Sequence, residues 1–223
     1  GNWVWLCDIE RREAALDVAL RPSAMALALR RHFAVVHQIS PSPDVVEFTR
    51  LRAAQTDEGD DVETAVVDSL DVLPYEDESF DCVTLHGTLD ARTGGVLTPG
   101  SRRRGDASLL RECRRLLRAG GWLYLGAANP LWSGLIRRPV RLAAAARVLH
   151  RASPAFVAGA GFDPVQAYYA FPGHDHPRVL VPATRAATTA YLEITGRRTG
   201  AEAHLRHALR WTPAHRAFAP SLV

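Results

Sequence analysis

Ala14-Ala15-Leu16-Asp17-Val18-Ala19-Leu20-Arg21-Pro22-Ser23-Ala24 decides how this chain is read. Ala15 to Val18 is a short apolar run, the pattern of a parallel strand buried on both faces. The chain then enters a tight turn. Ala24 to His32 reads as a helix, with Met25, Ala28 and Leu29 on one face and Arg30 and Arg31 outside. Strand, tight turn and helix together open a βαβ unit.

Working outward, the alternation continues. Ala34 to Ile39 predicts a second strand. Ser42 and Pro43 suit the N-cap and first position of a helix running to about Gln55, with Val46, Phe48 and Leu51 inward. Val62 to Val67 predicts a third strand and Phe80 to His86 a fourth. Asp106 to Arg118 is an amphipathic helix carrying Leu109, Leu110, Cys113, Leu116 and Leu117 at helical spacing, and Gly120-Gly121 reads as its stop. Trp122 to Ala127 and Val165 to Phe171 predict strands five and six. Further helices are expected after Pro139, over Arg185 to Ile194 and over Ala203 to Leu209, and a last strand over Phe218 to Val223. The expected architecture is α/β, a Rossmann-like, doubly wound, mostly parallel sheet in one domain over residues 1–223, with residues 1–13 a lead-in without a fixed place.

The chain has 223 residues, 47% of them hydrophobic, enough for one sizeable core. No apolar run is long enough to span a bilayer, and no stretch reads as a signal peptide. The start at Gly1 reads as a trimmed one. Cys7, Cys82 and Cys113 are odd in number, widely spaced and lack a C-x-x-C pair, which argues for reduced thiols in a cytoplasmic protein and against a disulfide frame or zinc site. Every one of the 27 basic residues is arginine, the mark of a GC-rich, bacterial genome, and a net charge of +3 is no argument for nucleic acid. Arg102-Arg103-Arg104 reads as a solvated loop.

Two further segments carry a family likeness: Leu73-Pro74-Tyr75-Glu76-Asp77-Glu78-Ser79-Phe80-Asp81-Cys82-Val83 and Leu116-Leu117-Arg118-Ala119-Gly120-Gly121-Trp122-Leu123-Tyr124-Leu125. With Leu16-Asp17 before them, the order and spacing resemble class I S-adenosylmethionine (SAM) dependent methyltransferases. The resemblance implies a seven-stranded sheet and a cofactor-binding set at Asp17, Ala19, Arg21, Ser23, Ser40, Asp68, Ser69 and Leu70. In that family the first strand ends in an acid and a G-x-G-x-G turn, where glycine lets the backbone approach the cofactor without a Cβ. The glycine positions fall here on Ala19, Arg21 and Ser23, and Arg21 puts a long cation where the methionine part of SAM lies in the family. The second strand ends there in an acid that accepts both ribose hydroxyls. Ser40 stands in its place, at a cost of about 1.5–3 kcal/mol in cofactor binding. Asp68 matches the acid near the adenine amine, and Ser69 and Leu70 flank the adenine.

His86 falls at the carboxyl end of the fourth strand, where ligands sit in open α/β sheets. It reads either as a general base or as a histidine that caps the strand. Asp81 reads as a structural strand-start residue. Asn129, after strand five, suits a substrate contact or an Asx turn. Gly173-His174-Asp175-His176-Pro177 has two metal-ligand types but no third nearby, so no metal is assigned.

Three functions are compatible with these residues. One is a SAM-fold protein that no longer methylates and serves as a binding or scaffold subunit for a partner enzyme, with homo- or hetero-oligomers open. Another is an active methyltransferase on a small molecule. The third is a SAM-independent catalyst holding an anionic ligand at Arg21. The four departures at Ala19, Arg21, Ser23 and Ser40 cluster at one site while the rest of the frame is kept, and this favours the first.

Overall fold

The computed structural model describes residues 2–56, 62–86, 102–126, 154–171 and 179–196. The backbone gathers into two units, Gly1–Val165 with Gly173–Asp175, and Gln166–Pro172 with His176–Val223.

In the first unit, the predicted apolar runs become parallel strands. They are β1 (Ala14–Val18), β2 (Val35–Ser40), β3 (Val62–Val66), β4 (Phe80–His86) and β5 (Leu117–Gly126). They pair in the order β3-β2-β1-β4-β5, every pair parallel. The strand order reverses between β1 and β4, so the ligand crevice of such a sheet opens at the carboxyl ends of these two. Helices α1 (Met25–Arg30), α2 (Pro43–Ala53) and α3 (Arg102–Leu116) connect them, and a short α4 (Pro154–Ala158) follows. The doubly wound parallel sheet is as expected. Among the described residues it has five strands. The predicted sixth strand forms as β6 (Tyr168–Phe171) in the second unit, where it pairs antiparallel with β7 (Val179–Pro182) beside α5 (Arg185–Gly196).

One sheet face is apolar: Leu16, Val18, Ile39, Val83 and Leu85 pack against Leu109, Leu110, Cys113 and Leu116 of α3. Alternation sends the opposite parity to the other face. There the register aligns Thr64, Gln38, Asp17, Thr84 and Tyr124 in one row across all five strands. This polar row has no counterpart in the sequence reading.

The frame motif 73–81 has a visible cause. Arg115 on α3 donates to Glu112 (2.6 Å), to Asp77 (2.6 Å) and to the carbonyl of Tyr75 (2.9 Å). Glu112 in turn accepts from the Leu73 N–H at 2.7 Å. Glu78 sits at φ 55°, and its strain is offset by a bond from its N–H to the Arg115 carbonyl and one from Arg118 to its own carbonyl. Asp81 Oδ2 accepts the N–H groups of Glu13 and Ala14 at 2.8 and 3.1 Å, and Oδ1 accepts from Arg118 at 3.0 Å. It clamps the start of β1 to the start of β4, the structural role expected of it.

Four local readings change, the first at Arg102-Arg103-Arg104, which open α3 and are not a loop before it. The buried side of α2 is Val45, Val46, Thr49 and Ala53, while Leu51 is 58% exposed and Phe48 faces outward. Thr49 is tolerated inside because its hydroxyl donates to the Val45 carbonyl at 3.2 Å. Ser42 holds the N-cap position without a side-chain capping bond. Gly120 and Gly121 do not stop α3, which ends at Leu116. They lie in β5 at a register shift opposite Phe80–Cys82, with Gly120 at φ 77°.

Candidate functional site

The carboxyl ends of β1, β2, β3 and β4 form one edge, and the sequence-predicted residues distribute along it. Asp17 is the last but one residue of β1 and is wholly buried. Its Oδ1 accepts from Thr84 at 2.7 Å and its Oδ2 from the Gln38 amide at 3.1 Å. Burial pushes its carboxyl up to about 6, partly opposed by those two bonds.

Ala19 is buried, with its N–H on the Ile39 carbonyl at 2.9 Å, so the turn after β1 is held tight against β2. Arg21 is half-buried in that turn. Ser23 Oγ accepts the Met25 N–H at 3.3 Å and so serves the first turn of α1. Ser40 is also wholly buried. Its Oγ accepts the Ser42 N–H at 3.1 Å, and its carbonyl accepts from Val67. Ser69 Oγ accepts the Asp71 N–H at 3.1 Å. Asp68 is exposed, and Leu70 is buried in the core cluster with Leu16 and Ile39.

His86, at the end of β4, is 6% exposed. It pairs in register with Gly126, and its ring lies nearly parallel to Tyr124 at 6.3 Å. A Cβ on Gly126 would stand 2.9 Å from His86 Nδ1, so glycine there is what lets the imidazole lie down on β5. β4, which carries His86, lies three strand spacings, about 14 Å, from β3, which Asp68 follows. The pairing of β1 with β2 sets Asp17 and Ala19 beside the end of β2 that carries Ser40, Arg21 and Ser23 follow in the turn to α1, and His86 and Asp68 belong to the strands on either flank, β4 and the end of β3.

The sequence reading left the lead-in without a place. A short 3-10 helix, Asn2–Leu6, buries Trp3 and Val4, and the Trp3 ring stacks on Tyr124 at 4.1 Å. Trp122 donates to the Asp8 carbonyl at 3.2 Å. The signal was in the sequence as the apolar spacing of Trp3, Val4 and Ile9.

The three cysteines are free thiols. Burial pushes Cys7 up to about 11 and raises Cys82 and Cys113 further, so none offers a thiolate at neutral pH. Among the described residues no three His, Cys, Asp or Glu side chains converge as a metal group, and no helix is long and apolar enough to cross a membrane. The readings at Asn129, at His174 and His176, of the helix after Pro139, of the part of the expected loop 88–105 up to residue 101, and of residues 197–223 lie outside the described residues.

The set fits SAM poorly. Ser40, at the end of β2 where the resemblance calls for a carboxylate, is a wholly buried neutral hydroxyl that accepts the Ser42 N–H, Ser23 puts a Cβ at a glycine position, and Leu70 packs in the core.

The family described as "Methyltransferase domain" matches residues 16–125, just under half of the chain. No curated protein matches it. Among solved structures, geranyl diphosphate C-methyltransferase from Streptomyces coelicolor is 16% identical, with 72% of this chain and 56% of that one covered and a TM-score of 0.47. The PH0226 protein from Pyrococcus horikoshii is 22% identical, with 57% and 56% covered and a TM-score of 0.46. The YcgJ protein from Bacillus subtilis is 16% identical, with 75% and 68% covered and a TM-score of 0.45. The chain spans little more than half of the first structures it resembles, 54% of the MccD protein and 56% of PH0226.

Proposed function

We propose, from the match of residues 16–125 to the methyltransferase domain family and the resemblance to class I SAM-dependent methyltransferases, that this chain has lost ordinary SAM binding and works as a binding or scaffold subunit for a partner enzyme. The observation that carries this reading is Ser40. It stands where the family grips the ribose with a carboxylate, it is wholly buried, and its hydroxyl already accepts the Ser42 N–H at 3.1 Å. A neutral, engaged hydroxyl cannot replace a free bidentate anion. The turn above Asp17 adds to it: Ala19 and Ser23 carry Cβ atoms, and Arg21 brings a cation to a pocket meant for a sulfonium and an ammonium.

A thermal melt with millimolar SAM and, separately, its demethylated product tests the reading. A ligand present at a hundred times its Kd stabilises by about 2.7 kcal/mol, several degrees in a chain of this size. The expected result is no shift with either ligand; a clear shift with both sinks it.

The second reading is an active methyltransferase on a small molecule. It is favoured by one specific observation, the retention of Asp17 and Asp68 at their family positions around the same edge. Methyl transfer from SAM asks mainly for placement of the acceptor in line, so an intact frame goes far toward activity once the cofactor binds. Incorporation of labelled methyl groups into a small-molecule extract of a producing host separates the two readings. No incorporation is expected.

A further inference from the structure

Near the ends of β4 and β5, the 3-10 helix Asn2–Leu6 lays a ring on Tyr124. Trp3 lies on Tyr124 at 4.1 Å and 19°, and Tyr124 lies beside His86 at 6.3 Å and 14°. Both Tyr124 and His86 fold into the space that a side chain at Gly126 would need, with Tyr124 Cε1 and Oη within 3.2 and 3.3 Å of a Cβ built there. Trp3, Tyr124 and His86 thus form a run of near-parallel rings in which His86 is 6% exposed and Trp3 4%.

The segment that does the covering is thinly attached by polar contacts. The Cys7 N–H bonds to the Val4 carbonyl within its own turn, the Cys7 thiol reaches the Trp3 carbonyl only at 3.8 Å, and Trp122 Nε1 holds the Asp8 carbonyl. Burial of Trp3, Val4 and Ile9 keeps it down, while Leu6 stays exposed. Against that burial stands one penalty. The indole Nε1 of Trp3 is buried and has no hydrogen-bond partner among the described residues. A buried donor without an acceptor disfavours the closed arrangement, and the penalty vanishes once the indole reaches water. Apolar burial and an unmet donor thus pull in opposite directions on one short segment, the condition for two populated arrangements.

We propose that residues 2–9 are a displaceable cover, held by the Trp3–Tyr124 stack, and that the His86 end of the sheet opens only when this cover lifts. This goes beyond the scaffold reading and holds whether or not SAM binds. The experiment therefore uses no nucleotide.

Native-state amide exchange on the unmodified full chain is the first arm. The Cys7 amide is expected to exchange at least about 100-fold faster than the amides of Cys82 to Leu85, by local opening. Exchange of Cys7 in step with β4 overturns the proposal. Acylation of histidine by diethylpyrocarbonate, mapped by mass spectrometry, is the second arm. Trp3→Ala is expected to speed modification of His86 about tenfold or more with β4 amide protection unchanged. Trp3→Phe keeps a ring on Tyr124 without the N–H, and is expected to leave His86 as protected as before or more so. An unchanged His86 rate in Trp3→Ala overturns the proposal. If that variant fails to fold, the exchange arm on the unmodified chain still decides.

Discussion

Thr84 donates its hydroxyl to Oδ1 of Asp17 at 2.7 Å across the β1–β4 pairing, in the middle of the sheet and out of reach of water. Gln38 donates from the other side. Two neutral donors do not match the hydration a carboxylate gives up, and burial pushes the Asp17 carboxyl up to about 6. The folded chain therefore binds this proton more tightly than the unfolded chain does. The contribution to stability is full below the ordinary carboxylate pKa and is lost as pH rises through about 6.

Asp17→Asn removes that dependence. Its amide keeps an acceptor for Thr84 and gives Gln38 a donor, and Gln38 Oε1 is without a partner among the described residues and can turn to meet it. Between pH 4 and 7 the parent is expected to lose up to about 3 kcal/mol relative to the variant, from a shift of roughly two pKa units. Urea unfolding across that range measures it. Parallel profiles for the two proteins would refute the buried-carboxylate account.

Glu112 is the hinge of the 73–77 segment, since it accepts from both Arg115 and the Leu73 N–H. Arg115 holds its carboxyl below the usual range, so this contribution runs the other way: it is present at neutral pH and lost as pH falls through the lowered value. Glu112→Gln is expected to cost about 1–3 kcal/mol at pH 7 and less as the pH falls through the lowered value. Denaturation midpoints of parent and variant along a falling pH series check it.

Asp81→Ala leaves two backbone N–H groups and the Arg118 guanidinium without their acceptor. A loss of about 2–3 kcal/mol is expected, with ligand behaviour unchanged. If the variant melts like the parent and instead alters binding, Asp81 belongs to a site and not to the frame.

Restoring the turn and the acid together tests whether these positions are what bars the cofactor. Ala19→Gly, Arg21→Gly, Ser23→Gly and Ser40→Asp in one chain are expected to raise SAM affinity at least tenfold, about 1.4 kcal/mol. Equilibrium dialysis with labelled SAM reads it. No gain at all places the obstacle elsewhere.

The strands that feed the site were legible because β1, β2 and β4 are apolar runs between turns, and burial on both faces leaves little else for them to be. The face of α2 was not. Side-chain size pointed to Phe48 and Leu51, but Thr49 buys its place inside through the bond to Val45. Gly120 and Gly121 looked like a helix stop because glycine serves both a C-terminal cap and a bulge, and only the pairing of β5 with β4 distinguishes them. At the site, the absent glycines and the missing acid could be read directly. That Ser23 and Ser40 accept the N–H groups of Met25 and Ser42, two residues on, is short-range chemistry that serine commonly makes and that the sequence reading did not assign; that Leu70 turns into the core and that Trp3 stacks on Tyr124 depend on contacts between distant parts of the chain, which no local pattern encodes.

Isothermal titration of the purified chain with SAM puts the central claim at risk most directly. The expected trace shows no saturable heat at ligand concentrations up to about 1 mM, the scale of a standard free energy near −4 kcal/mol. A one-to-one isotherm with a micromolar Kd, weakened by Ser40→Ala, would contradict it.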